Sequence, residues 1–288
     1  MELTRYSDVT AFYQRAEPYL MEHEAEHCLM LGICGALLCN TQRLEGEPYL
    51  ATVEHEGAVV AVALRTPPYN IVLSLPAPGH SVEQMAALVA ADARAVYGML
   101  PGVFAPSAIS RAFADAWQQL TGQSYSLTIS ERTYQLDRVI PVNGVPGTMR
   151  RAQEADRALL VRWIAEFSQE ALVGEQIDPE QWADEALASL LDMRGLYVWE
   201  DGEPVTMVGY QGPTPHGMRI GPVYTPPEQR RKGYASACTA ALSQHLLDGG
   251  RRFCFLYTDL ANKTSNHVYK EIGYQPVADV DMYTFGEP

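Results

Sequence analysis

The sequence predicts a mixed α/β fold built twice in succession. Three observations carry that expectation. Apolar residues recur with helical spacing in some segments and strand spacing in others, the same order of elements appears in both halves, and a Pro/Gly-rich stretch, Ile140–Gly147, separates them. In the first half, helical periodicity runs through Val9–Leu20 and Cys28–Leu38. Strands are expected at Tyr49–Val53, Ala58–Leu64 and Asn70–Leu75, with Glu56-Gly57 turning between the first two. A helix at Ser81–Tyr97 with Ser81 as its N-cap, a short apolar run at Gly102–Ala105, and a helix at Ser107–Leu120 stopped by Gly122 follow. Strands at Tyr125–Ile129 and Arg132–Leu136 complete this half.

After the linker the order recurs. Helices are expected at Glu154–Leu172 and Pro179–Leu191, then strands at Gly195–Glu200, Val205–Gln211 and Met218–Thr225, with Asp201-Gly202 as a hairpin turn. A helix from Arg231 to Leu247, a strand at Phe253–Thr258, a helix at Ser265–Ile272 and strands at Gln275–Val277 and Asp281–Phe285 close the chain. Two helices, three strands, then helix, strand, helix and strands describe a partly parallel sheet, and the repetition predicts two domains of one fold.

Composition narrows the function. The 288 residues suit two domains, and 47% hydrophobic with 19% charged residues is the balance of a folded chain. A net charge of −14 repels phosphates at long range, so neither nucleic acid nor an anionic membrane is an expected partner. Residues Met1–Arg15 are charged and contain no apolar core, which predicts no signal peptide and a cytoplasmic protein. Cys28, Cys34, Cys39, Cys238 and Cys254 have no paired spacing. The last two lie in apolar runs and read as buried thiols.

The chemistry concentrates in two constellations. In the first, Val223-Tyr-Thr-Pro-Pro-Glu-Gln-Arg230-Arg-Lys-Gly233-Tyr-Ala235-Ser, an extended segment ends at two prolines and a basic turn opens a helix. The first N–H groups of a helix are unsatisfied and its dipole is positive there, so a diphosphate fits. Gly233 lets backbone approach phosphate, Ala235 keeps the next position small, and Arg230, Arg231 and Lys232 place cations at the rim. It is neither a Walker loop nor a dinucleotide fingerprint, and spacing alone leaves an ordinary solvated loop equally open. Pro222 cannot donate to a sheet ladder and marks an edge or bulge. A bulge there would splay this strand from Phe253–Thr258 and free backbone near Val223. The second constellation is Asn262-Lys-Thr-Ser265-Asn-His-Val-Tyr269-Lys-Glu-Ile272-Gly273-Tyr274, in which Val268 and Ile272 share a helix face and Gly273 ends it. A tyrosine placed like Tyr269 is by itself more often packing than chemistry.

Together these motifs, R-x-x-G-x-A at Arg230–Ala235 and N-x-x-S-x-x-x-Y-x-x-I-G-Y at Asn262–Tyr274, resemble the GNAT superfamily of CoA-dependent acyltransferases, over Arg150 to Phe285. The resemblance implies two tandem GNAT-like domains, residues 1–140 degenerate and residues 148–288 carrying an acetyl-CoA site. It implies that the main chain of Arg231, Lys232, Gly233, Tyr234, Ala235 and Ser236 holds the CoA diphosphate. Val223, Tyr224 and Thr225 would pair with pantetheine, Asn262 and Ser265 match the family's second motif, and Tyr269 would protonate the leaving thiolate. The reaction implied is direct attack of a small-molecule or peptide amine on the thioester, with no metal, and an N–H near Val223 meeting the oxyanion. Many members carry a glutamate on the strand before the loop as base, whereas Met218–Thr225 has no acid. A water relay, Glu166, Glu170, or no base at all remain open.

Two further readings compete. The second domain could bind acyl-CoA as a sensor without turnover. Separately, His23-Glu24-Ala25-Glu26-His27 matches H-E-x-x-H, which on a helix would offer two zinc ligands and a base. The acidic neighbours Glu22, Glu24 and Glu26 argue for a solvated segment instead. In the first half, Pro76-Ala-Pro-Gly79-His-Ser81 and Trp117-Gln-Gln-Leu-Thr-Gly122 stand where the loop and the tyrosine motif would be, so no CoA binding is expected there.

Overall fold

The structure, a computed structural model, describes residues 1–40, 44–171, 179–192 and 195–286. The chain forms two compact units, Met1–Thr133 with Val277–Pro288, and Tyr134–Pro276. Their bounds differ from the expected division at 1–140 and 148–288 in two respects: residues 134–147 fall in the second unit, and the chain from Val277 onward in the first.

In the first unit, β1 (Glu2–Arg5), β2 (Tyr49–His55), β3 (Ala58–Arg65) and β4 (Ile71–Leu73) form an antiparallel run. α3 (Val82–Tyr97) then carries the chain to β5 (Gly102–Pro106), parallel to β4. β12 (Gln275–Phe285) pairs antiparallel with β5 from Val280 to Thr284, and β6 (Tyr125–Leu136) lies beyond it. Alternating side chains feed two cores. One lies under α3 and α4 (Ser107–Thr121) and is built on Val89, Phe113 and Trp117. The other lies under α1 (Val9–Met21) and α2 (Cys28–Leu38) and is built on Phe12, Leu20 and Leu31. The caps read from sequence hold. Ser81 Oγ accepts the Gln84 N–H at 3.2 Å, and Gly122 ends α4 at φ +78°.

The second unit repeats this plan. β7 (Thr148–Arg151), β8 (Leu196–Asp201), β9 (Glu203–Gln211) and β10 (Gly217–Tyr224) are antiparallel, and α7 (Tyr234–Asp248) crosses to β11 (Phe253–Asp259), parallel to β10. α5 (Arg157–Ala171) and α6 (Pro179–Asp192) pack on one face around Leu160, Trp163 and Leu187; α7 and α8 (Lys263–Ile272) pack on the other around Leu242, Ile272 and Tyr274. The expected helix Glu154–Leu172 opens as a 3₁₀ turn at Glu154–Asp156, and its last residue lies outside the described residues. No helix among the described residues is long and apolar enough to cross a membrane.

Candidate active site

The site is organised by one irregularity in β10. Its antiparallel register with β9 slips between Ile220 and Val223, the bulge expected at Pro222. An extra residue reverses which face later side chains occupy. Met218 and Ile220 belong to the α7/α8 core and Val223 packs on the same core, whereas Tyr224 is turned into the α5/α6 core. On its other side, β10 pairs with β11 only from Gly217–Arg219 to Phe253–Phe255, although β10 continues to Tyr224 and β11 to Asp259. The two strands therefore part at the bulge, the splay that the sequence predicts.

The chain leaves β10 through a 3₁₀ turn, Pro227–Gln229, and enters α7 by two left-handed residues, Arg231 at φ +63° and Gly233 at φ +85°. This turns successive amides outward into a nest. Among the described residues, none of the N–H groups from Arg231 to Ser236 has an acceptor, and Arg231 and Lys232 are exposed. Tyr234 contributes only its N–H, because its phenol turns inward to donate to Asp201 Oδ2 at 2.7 Å. Three expected contributions change. The guanidinium of Arg230 does not face the helix mouth. Its Nη2 donates to both carboxylate oxygens of Glu170, at 2.7 and 3.0 Å, and its Nε to the Thr225 carbonyl at 2.8 Å. Lys232 Nζ donates to the neutral Gln229 Oε1 at 2.8 Å, so neither Lys232 nor Arg231 has an ion pair among the described residues. The carbonyls of Tyr224 and Thr225 accept from Thr206 Oγ1 and Arg230.

On the α7/α8 side, Tyr269 is 8% exposed and its ring meets Tyr274 edge-on at 6.0 Å. No hydrogen bond holds its hydroxyl among the described residues. Burial pushes its pKa up to about 12, so the phenol keeps its proton at neutral pH. Asn262 Oδ1 accepts the Ser265 N–H at 3.0 Å and caps α8. Sequence reasoning missed Asn266. Its Nδ2 donates to the carbonyls of Asp259 and Asn262 at 2.7 and 2.8 Å, and its Oδ1 accepts from Tyr134 at 2.9 Å. This amide fastens the start of α8, and hence Tyr269, to the end of β11. An asparagine in a first helical turn carries no signal of that role.

The histidine pair of the first unit is not on a helix: residues 22–27 form turns, in which the two rings meet edge-on at 6.3 Å. His27 is buried with Nδ1 2.9 Å from the Leu20 carbonyl, and His23 lies 3.7 Å from Glu26. No group of three ligating side chains is placed to hold a metal among the described residues. Where a phosphate loop would open α3, Ser81 occupies the cap and Glu83 adds a carboxylate to the first turn. Trp117 is sealed in the core, donating to Gln123 at 2.7 Å. Cys238 and Cys254 are buried free thiols, as expected, with pKa values raised by burial.

Residues 201–283 match the FR47-like protein family model. The whole chain superposes on a GNAT-family acetyltransferase from Colwellia psychrerythraea with a TM-score of 0.62, 15% identity, and 99% and 100% of the two chains covered. A GCN5-related N-acetyltransferase from Sphaerobacter thermophilus gives 0.62 and 16%, covering 99% of this chain and 96% of that one. A tandem GNAT protein from the clavulanic acid biosynthesis pathway gives 0.57 and 15%, covering 100% and 99%. No curated protein matches. The chain thus has the fold of the GNAT acetyltransferase structures that it superposes on, and the segment that resembles the FR47-like family contains β10, the loop and α8.

Proposed function

We propose that the second unit is an N-acyltransferase that takes an acetyl group from acetyl-CoA and transfers it to a primary amine, of a small molecule or a peptide, in a ternary complex. The observation that carries this reading is the row of unsatisfied N–H groups from Arg231 to Ser236 at the start of α7, beside strands that have parted. These amides and the helix dipole hold the diphosphate, with Arg231 and Lys232 at the rim. The main chain at Val223 pairs with the pantetheine arm and meets the oxyanion as the amine nitrogen attacks the thioester carbonyl. Carbon–sulfur cleavage leaves a thiolate, Tyr269 supplies its proton, and the proton that the attacking nitrogen sheds passes to water, from which the phenolate is reprotonated. Such general acid assistance is worth roughly 10²–10⁴ in rate. The first unit binds no CoA in this reading, because the start of α3 is already capped and acidic.

Thiol release from acetyl-CoA, measured on the full chain against a broad panel of primary amines, tests the proposal. Turnover that disappears in Tyr269→Phe while acetyl-CoA affinity stays supports it. Tight binding with no turnover on any amine would make the unit an acyl-CoA sensor instead.

A further inference from the structure

The register slip in β10 has a second effect, on the α5 face. Tyr224, at the last position of the strand, is buried against Trp163, with ring centroids 6.4 Å apart. Its hydroxyl donates to Glu166 Oε2 at 2.8 Å. Glu166 and Glu170 lie one turn apart on α5 and both face the end of β10, yet their situations differ. Glu170 is neutralised by the ion pair with Arg230. Glu166 is held by a neutral phenol, which fixes the carboxylate without cancelling its charge. Its side chain stays 39% exposed, and the exposed guanidinium of Arg162 lies 4.0 Å from Oε1. A separation of that length, between solvated groups on one helix face, is a weak interaction that an incoming ligand can displace.

We infer that Glu166, aimed by Tyr224, is the counter-ion that docks the acceptor as an ammonium, which gives up a proton to water before its nitrogen attacks, and that the acceptor is accordingly a cationic amine. This rests on the acyltransferase reading and deepens it. The bulge supplies the geometry, since it places Val223 on the α7/α8 face and Tyr224 with Glu166 on the α5 face of the same strand end. An amine docked at Glu166 thus approaches the bulged segment from the side opposite Tyr269. The chain's net charge of −14 draws cations towards it. Glu166 is a specificity-determining residue and Tyr224 a positioning residue.

The test is thiol-release kinetics on the full chain with acetyl-CoA and three probes: a linear diamine, an aminosugar and a lysine-containing peptide. For whichever probe turns over, Glu166→Gln raises the amine KM roughly tenfold or more, the loss of a hydrogen bond to a charged group, and leaves acetyl-CoA affinity unchanged by calorimetry. Tyr224→Phe raises the amine KM less, and Glu166→Asp restores part of it, which a folding defect would not do. An unchanged amine KM in active Glu166→Gln overturns this inference and leaves the acyltransferase reading standing. Absence of turnover by the wild-type protein with all three probes and the broader panel overturns both.

Discussion

Replacing Gly233 by alanine probes the loop at the residue where backbone and packing constraints meet. The residue sits at φ +85°, and a non-glycine residue in the left-handed region costs roughly 1–2 kcal/mol. A Cβ built there would lie 2.9 Å from Val145 Cγ2. Overpacking costs about 1–3 kcal/mol, at the low end here because Val145 is a half-buried linker side chain that can turn aside. Against these stands the smaller freedom of alanine in the unfolded chain, worth about 0.4–1 kcal/mol. The net expectation is a loss of about 2 kcal/mol, read by urea unfolding. Because the same turn aims the amides, acetyl-CoA affinity falls roughly tenfold, about the value of one charge-assisted hydrogen bond. Val145→Ala introduced alongside removes the contact and leaves the backbone cost, so rescue is partial. Wild-type stability in Gly233→Ala, or full rescue by Val145→Ala, would refute this reasoning.

Other perturbations give equally definite expectations. Burial lowers His27 from 6.5 to about 4, so the folded chain keeps it neutral while the unfolded chain protonates it. Its stabilising contribution is therefore complete above pH 6.5 and declines as pH falls towards 4, by roughly 3 kcal/mol at about 1.4 kcal/mol per pKa unit. Unfolding midpoints of His27→Gln across that range should lack this part of the decline. Asn266→Ala removes the amide that ties α8 to β11 and Tyr134; the expected destabilisation is about 2–3 kcal/mol by denaturant unfolding, with turnover reduced as Tyr269 loses its support. Tyr269→Phe should cut kcat by about 10²-fold or more at unchanged acetyl-CoA affinity, and an unaltered kcat would remove it from the chemistry.

Much of this architecture is legible in the sequence because the signals are local. Glu56-Gly57 and Asp201-Gly202 mark hairpins whose positions match the β2/β3 and β8/β9 turns, and Glu56, Gly57 and Gly202 all have positive φ. Gly273 ends α8 at φ +112°, and Pro222 marks the bulge. What escapes a local reading depends on partners far along the chain. β6 and β12 are single long strands, although Ser130-Glu131 and Ala278-Asp279-Val280 read as breaks between apolar runs. Their polar residues are cross-strand partners: Arg132 grips Asp279 at 2.6 and 2.8 Å, and Ser130 donates to Asp281 at 2.7 Å. β1 and β7 are short edge strands whose sequences, Glu2–Arg5 and Thr148–Arg151, have no alternation to reveal them. In the site, the outward turn of the Arg231–Ser236 amides follows from the motif. The diversion of Arg230 to Glu170 and the aiming of Glu166 by Tyr224 are set by α5, and no spacing within the loop encodes them.

Calorimetric titration of the full chain with coenzyme A, and separately with pantetheine, bears most directly on the role given to the start of α7. If the amides of Arg231–Ser236 hold the diphosphate, coenzyme A binds and pantetheine, which lacks it, binds far more weakly. Equal affinity for both, or no heat with either, would contradict the account.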